Sequence, residues 1–600
     1  MPQYKAPLRD MQFVLHELLH AEQHYAKLPA FQDTVSRELI DQYLEAAADF
    51  CENELSPLNQ VGDREGCTWN DGVVTTPTGF KEAYQKYVEL GFPALSAAEE
   101  YGGQGLPNSL GVTISEMVGT SNWAWGMYPG LSHGAVRTLE HHGSQQQKDL
   151  YLPKLVSGEW TGTMCLTESH AGSDLGIIRT KAEPNTDGSY AITGEKIFIS
   201  AGEHDMADNI IHIVLARLPG APKGTKGISL FIVPKVNVNT DGTLAERNGV
   251  RCGSIEHKMG IHGNATCVIN FDRATGYLIG PENRGLNCMF TFMNTARIGT
   301  AVQGLAASEG SFQGALAYAK DRLAMRSLSG AKHPEKEADP IIVHPAVRNM
   351  LLTQKAYAEG GRALVYLLSQ YADVVEHATD ETDRQFADNI LSLLTPIAKA
   401  FLTETGSEAA KHGVQVFGGH GFISEHGMEQ IVRDTRIACL YEGTTEIQAL
   451  DLLGRKVLGS KGLMLKDFTK IIQQFLVEQQ NNTELQEFTA PLANLLKEWG
   501  SLTQQIAERA GQNPDEVGAA AVDYLYFSGY VTLGYLWARM ALVAQQKISE
   551  GSSEVDFYNA KILTARFYFK KILPRVRGHV DVIAGGLEPL MSLDAEHFAF

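Results

Sequence analysis

Cysteine is scarce in this chain. The 600 residues hold seven, at 51, 67, 165, 252, 267, 288 and 439, with no C-x-x-C pair among them. An odd, scattered set excludes a disulfide framework and a thiolate zinc site, and it fits a reducing compartment. Positive charge is also in deficit: 51 Lys and Arg face 70 Asp and Glu, a net charge of −19 at pH 7. That balance argues against a general polyanion-binding role. Long apolar runs are missing too. The most membrane-like stretch, Tyr524 to Ala538, runs into Arg539 and falls short of the roughly 20 apolar residues a span needs, so it reads as a buried helix. Neither G-x-x-x-x-G-K-[ST] nor a G-x-G-x-x-G between a strand and a helix occurs, which removes the P-loop and Rossmann nucleotide sites. Met1 to Lys5 shows neither a charged-then-apolar signal nor transit-peptide character, and the chain reads as cytoplasmic.

What remains is the composition of a folded globular protein, long enough for about three to five domain-sized units. Residues 1–160 read as helix broken by glycine and proline, with Phe80 to Leu90 at helical spacing and a breaker-rich loop at 101–107. The first 37 residues form an extra segment. Between 161 and 280 the period changes. Ile192 to Ser200, Asn209 to Leu218, Ile228 to Val233 and Cys267 to Asp272 are short and β-branched, as in a sandwich or barrel. From 281 to 459 long helices return; Ile298, Ala301, Val302, Leu305 and Ala306 mark one apolar face, as in a four-helix bundle. The polar stretch Arg326 to Asp339 interrupts them as an exposed loop. Residues 460–600 add a further helical domain, with a linker at Ala510 to Pro514. The expected fold class is multidomain α+β: N-terminal helices, a middle β-domain, a helical bundle and a C-terminal helical extension.

His16-Glu17-Leu18-Leu19-His20 matches a zinc-peptidase pattern, but with no third ligand in view it reads as chance, and no metal is expected. Three other segments stand out. In Met164 to Asp174, small and hydroxyl residues could meet a flat polar ring or a pyrophosphate; a tight polar turn would read the same. Glycines in Gln415 to Phe422 permit close approach of another molecule, or simply end a helix. In Leu440 to Gln448, Glu442 sits on a glycine-containing turn that could hold a base or start a helix.

Taken together and in order, these segments resemble the acyl-CoA dehydrogenase family of flavoenzymes. The resemblance covers roughly residues 40 to 460 and rests on C-x-T-E-x-x-A-G-S-D, the strand Ile192 to Ser200, Lys258-Met259-Gly260, Q-x-F-G-G-x-G-F and Y-E-G-T. The N-terminal segment and helical C-terminus look like the bacterial subgroup of about 600 residues. The resemblance implies FAD-dependent α,β-dehydrogenation of an acyl-CoA to a trans-2-enoyl-CoA, the first step of fatty acid β-oxidation. Glu442 falls on the family's catalytic base. Such a base needs a carboxylate within reach of a weakly acidic carbon-bound proton, and burial beside an acyl chain suits it. Hydride passes to flavin N5 in this family, and electrons go on to electron-transferring flavoprotein. Some relatives carry their base immediately before an arginine aligned with Arg297; here that position is Ala296.

The resemblance also implies FAD contacts at Thr167, Ser173, Phe198, Ser200, Arg322, Gln415, Gly418, Gly419, Thr444 and Glu446. Arg322 and Gln415 to Gly419 match positions that reach a neighbouring subunit's flavin, which implies at least a dimer, and the added C-terminal helical domain, which accompanies dimers in related long-chain enzymes, makes a homodimer the expectation. Phe198 stands where relatives often have Trp, and Glu446 where they usually have Gln. Acyl-CoA contacts carry over to Ser173, Asn294, Arg297, Tyr441 and Gly443. Trp123, Trp125, Met127 and Tyr128 lie near the region that closes the acyl end, and the expected substrate is a medium-to-long chain. A methylthio-propionyl-CoA dehydrogenase and an acyl-CoA oxidase on the same fold are alternatives. A DNA-binding alkylation-response flavoprotein is a remote one, since residues 461–600 carry 13 Lys and Arg against 16 Asp and Glu. The basic run Lys561, Arg566, Lys570, Lys571, Arg575 and Arg577 could face a membrane surface or nucleic acid; the expected reading is a solvated face or packing on acidic residues of another subunit, stabilising a dimer.

Overall fold

Two neighbouring strands with every residue buried mark the centre of the β-region, and the sheet is built outward from them. A computed structural model describes residues 3–599; Met1, Pro2 and Phe600 lie outside the described residues. The strands are β1 (Trp160–Cys165), β2 (Lys181–Pro184), β3 (Tyr190–Ser200), β4 (Asn209–Ala216), β5 (Ser229–Pro234), β6 (Val250–Ile255) and β7 (Thr266–Ile279). They form one seven-stranded sheet in the order β1-β4-β5-β7-β3-β2, with β6 also on β7. Strands β1 and β4 pair in parallel, from Trp160 opposite Asn209 to Cys165 opposite Val214. Ile210, Ile211, Ile213, Val214 and Leu215 in β4 are all buried, the near-continuous apolar run expected of a strand covered on both faces. Strand β7 is longer than its sequence suggests. Its Thr266 to Gly276 portion pairs with β3 and its Tyr277 to Ile279 end with β5, so one strand serves two parts of the sheet.

The chain divides into two compact units. One joins Gln3–Ala6 to Tyr43–Gly299; the other joins Pro7–Gln42 to Thr300 onward. In the first, helix α1 (Asn108–His142) lies on β1. It kinks at Asn122, whose φ of −161° is non-helical and whose side chain caps the next turn by accepting from the Trp125 N–H at 3.1 Å. Trp125 packs against Phe50 and Tyr87, and the Tyr128 hydroxyl donates to the Gly263 carbonyl and accepts from the Ala265 N–H. Two of the four residues read as closing the acyl end are thus fully committed to this unit's interior.

The second unit is helical. Helix α2 (Gly285–Asp321) enters it at Thr300 and is followed by α3 (Pro345–His377), α4 (Glu381–Phe417) and α5 (Thr445–Leu450). Helices α2 and α4 cross at two glycines: a Cβ on Gly304 would lie 2.2 Å from the Leu402 carbonyl oxygen, and one on Gly406 2.5 Å from that of Gly304. The extension supplies α6 (Leu463–Glu478), α7 (Gln486–Ala510), α8 (Glu516–Ser549), α9 (Val555–Phe567) and α10 (Val576–Gly585). The charge-free run within α8 is buried, including Tyr524, Leu525, Phe527, Leu533, Leu536 and Trp537. Among the described residues no helix is long and apolar enough to cross a membrane.

The N-terminal segment packs on this extension. Arg9 pairs with Glu554, and Asp10 meets Lys561 of α9 and Arg362 of α3. His16 and His20 do not share a helical face: His16 bonds Asp41 at 3.0 Å, and His20 breaks the helix with φ +50°. The basic run is not one uniform surface face. Lys561 is buried, while Arg566, Arg575 and Arg577 pair with Glu487, Glu408 and Glu498. The 326–339 stretch is mostly exposed, as expected, but turns around a buried Asp339. The backbone N–H groups of Ser327, Lys332 and His333 donate to that carboxylate at 3.0, 3.0 and 2.7 Å.

Candidate active site

In the sheet-bearing unit, β1 delivers the chain into the 166–180 loop, and a buried ion pair fastens this loop to β3. Lys196 donates to Glu168 Oε1 at 2.9 Å and to the Leu166 carbonyl at 2.9 Å. Glu168 also accepts from the backbone N–H groups of Arg179 and Thr180 and from the Thr180 hydroxyl. The Ile197 N–H donates to the Thr167 carbonyl at 2.9 Å, so Thr167 lies beside the strand that presents Phe198 and Ser200. Phe198 is held in the left-handed region at φ +59° and leaves 59% of its surface exposed. A phenyl ring held outward on strained backbone, flanked by the half-buried hydroxyls of Thr167 and Ser200, fits a flat ring system such as a flavin. Ser173 is exposed in the same loop. Asn294 and Arg297 lie one helical turn apart on α2, Asn294 exposed and Arg297 half-buried.

In the helical unit, the turn before α5 carries Glu442. The residue is half-buried with φ +56°, and Gly443 follows at φ +88°. Three fully or nearly buried side chains hold this turn. Gln448 of α5 donates to the Glu442 carbonyl at 2.8 Å, and Lys399 of α4 donates to the Gly443 carbonyl at 2.6 Å. The Tyr441 hydroxyl donates to Gln303 of α2, whose amide in turn donates to the Asp434 carbonyl at 3.2 Å. Thr445 donates to Glu404 at 2.6 Å. Thr444 caps α5 by accepting from the Ile447 N–H at 3.3 Å, which is the helix-start reading of this segment, and Glu446 is exposed in the first turn.

The remaining positions lie where α2 and α4 end. Arg322 is exposed beyond α2, and its carbonyl accepts from the Ile341 N–H at 2.8 Å. Gln415, Gly418 and Gly419 are exposed at the end of α4, where Gly418 takes φ +60°. Beside them Tyr318 stacks on Phe417 at 4.0 Å and bonds His420 at 2.8 Å. Within each unit the expected residues therefore cluster: Thr167, Phe198 and Ser200 on one loop–strand junction, and Tyr441 to Glu446 on one turn. Sequence reasoning missed Lys196, Lys399, Gln303 and Gln448. The one available signal was a lysine inside an otherwise apolar helical run, Pro396 to Leu402.

Residues 38–159, 163–274 and 283–458 match the N-terminal, middle and C-terminal domain models of acyl-CoA dehydrogenase, and 466–594 matches the acetyl-CoA dehydrogenase C-terminal-like model. The chain is 41% identical to 3-methylmercaptopropionyl-CoA dehydrogenase of Ruegeria pomeroyi, over 95% of this chain and 96% of that one. It is 35% identical to a butyryl-CoA dehydrogenase of Syntrophomonas wolfei, over 96% of each. Among solved structures, acyl-CoA dehydrogenase complexed with FAD from Bacillus anthracis superposes with a TM-score of 0.73 at 21% identity, over 92% of this chain and 88% of that one.

Proposed function

The chain belongs to the acyl-CoA dehydrogenase family of FAD-using oxidoreductases, and from that premise we propose that Glu442 removes the α-proton of a short acyl-CoA thioester. The observation that carries this is the Glu442 turn: a half-buried carboxylate on left-handed backbone, anchored from below by Gln448 and Lys399. Backbone strain of this kind persists only where surrounding structure enforces it, and it gathers at sites of chemistry. Once bound, FAD supplies the two-electron acceptor for the hydride leaving the neighbouring carbon. Phe198, Thr167 and Ser200 would orient the ring system, with Ser173 toward the phosphates and Arg322, Gln415, Gly418, Gly419, Thr444 and Glu446 completing the cofactor set. Asn294, Arg297, Tyr441 and Gly443 would hold the CoA thioester. Electron-transferring flavoprotein is the proposed acceptor, and a homodimer the proposed assembly.

Relatives at 41% and 35% identity are named for 3-methylmercaptopropionyl-CoA and butyryl-CoA, which favours a short chain over the medium-to-long one expected from sequence. An anaerobic titration tests the reading. Purified FAD-loaded protein is mixed with butyryl-, 3-methylthiopropionyl-, octanoyl- and palmitoyl-CoA, and the flavin band near roughly 450 nm is followed. Bleaching by a short thioester, absent in Glu442→Gln, supports it; bleaching by palmitoyl-CoA alone overturns the chain length. Reoxidation by electron-transferring flavoprotein but not by oxygen would exclude the oxidase.

A further inference from the structure

The Glu442 turn is held by a group that its chemistry alone does not require. Lys399 is fully buried on α4 among Ile397, Ala398, Ala400 and Phe401, every one of them without exposed surface. An ammonium must be desolvated to enter such a place, so it is found there only where bonds offset that cost. One such bond runs to the carbonyl of Gly443, the residue after the proposed base.

That contact acts on unfavourable backbone. Glu442 and Gly443 occupy the left-handed region in succession, and an L-residue enters it only against the contact between its Cβ and backbone. The carbonyls of both residues are held from inside the unit, one by Gln448 and the other by Lys399. A charged donor makes the shorter and stronger bond of such a pair, in keeping with 2.6 Å against 2.8 Å. The anchors also sit on rigid supports. Lys399 is one turn before Leu402, whose carbonyl meets Gly304 at the close α2–α4 crossing, and Gln303 adjoins the same crossing.

We propose that Lys399 is a positioning residue for the base: by holding the Gly443 carbonyl it keeps the 442–443 turn in the one conformation that presents the Glu442 carboxylate. The inference rests on Glu442 being the base. The role assigned to Lys399 is to hold backbone, and it requires no proton transfer from the ammonium.

Lys399→Met keeps length and apolar bulk but removes the donor, and Lys399→Gln keeps a donor without a buried cation. Both are prepared as FAD-loaded full-length protein beside the wild type. Three quantities are measured: flavin content, affinity for the enoyl-CoA product from its perturbation of the flavin spectrum, and the anaerobic rate of flavin reduction by the acyl-CoA that bleaches wild type fastest. In Lys399→Met, FAD content stays at the wild-type value while reduction slows about 100-fold, far more than the accompanying loss of product affinity through Gly443, as follows a displacement of about 1 Å in a reacting group. Lys399→Gln recovers part of that rate. If Lys399→Met does not fold, Lys399→Gln decides alone, with slowed reduction at full flavin content as the supporting result. Wild-type reduction rates in the folded variants, or slowing fully accounted for by lost FAD, overturn the proposal. Failure of the base assignment looks different: wild type is bleached by no acyl-CoA, or Glu442→Gln reduces as fast as wild type, and the role of Lys399 falls with it.

Discussion

The ammonium of Lys196 lies 2.9 Å from Glu168 Oε1, and this buried ion pair joins the loop of Thr167 and Ser173 to the strand of Phe198 and Ser200. Burial works against the Glu168 carboxylate, yet Lys196 and the donors from Thr180 and Arg179 hold its pKa below the usual range. Breaking one partner of such a pair leaves the other charge buried and alone. Lys196→Met is therefore expected to lower stability by about 3–5 kcal/mol and to release FAD more readily. Thermal unfolding and flavin retention on a desalting column check this; a variant that keeps its midpoint and its flavin would show the clip to be dispensable.

Two other buried groups in the same unit set a pH limit. His204 donates or accepts at Thr161 at 2.8 Å, and His212 does the same with Thr163 at 2.7 Å. Burial first, and then the charge of Lys235, pushes each imidazole down to about 3. Between that value and the ordinary 6.5 the unfolded chain binds protons that the folded one refuses. Their stability contribution is complete above pH 6.5 and is lost as pH falls toward about 3. The unfolding midpoint should drop steadily below pH 6.5, and His212→Gln should flatten that slope even if its midpoint at neutral pH is lower. A midpoint unchanged between pH 7.5 and 5 would contradict the assignment.

Order and type of the elements were legible because the hydrophobic period changes along the chain. Fully buried β4 and β5 announce themselves as short, mainly apolar runs with β-branched residues, and α8 through the charge-free stretch from Tyr524 to Ala538 at its middle. Length was not legible in β7: bulges between Cys267 and Ile269 and between Phe271 and Ala274 break the alternation that marks a strand. Glu442 was found through its motif, since a glycine beside a carboxylate is a local pattern. Its anchors were not. Gln303, Lys399 and Gln448 come from three separate helices, and only tertiary packing turns their side chains to one turn. Likewise Lys561 reads as part of a basic surface until Asp10, more than five hundred residues away, is seen to lie against it.

That last contact belongs to a balanced cluster. Asp10, Glu309 and Glu359 face Lys355, Arg362 and Lys561, with Arg362 to Glu309 and Lys561 to Glu359 both at 2.8 Å. Although burial opposes it, the charges of Lys561 and Arg362 hold the Asp10 carboxyl at about 2. Asp10→Ala leaves an excess cation inside the cluster and is expected to cost about 3–5 kcal/mol. Because Asp10 ties the N-terminal segment to α3 and α9, that segment should become cleavable by protease before the rest. Equal cleavage of wild type and variant within the first forty residues would show that other contacts hold it.

The Glu442 turn offers a test through a single methyl group. Gly443 sits at φ +88°, and a Cβ there would lie 2.6 Å from Gln448 Nε2, the atom that holds the Glu442 carbonyl. Gly443→Ala therefore imposes backbone strain of about 1–2 kcal/mol and displaces one anchor at once. Gly454 is the control: it has ordinary backbone, and its Cβ would meet nothing nearer than Val517 at 3.7 Å. Gly454→Ala should leave flavin reduction unchanged and hold or slightly raise the unfolding midpoint, since alanine suits helical backbone. Gly443→Ala should keep its FAD, lose a few degrees of midpoint and slow flavin reduction by at least about tenfold, because a reacting group moved by a fraction of an ångström loses its alignment. If the two alanine variants reduce alike, the turn tolerates movement, and the geometry at Glu442 is not what sets the rate.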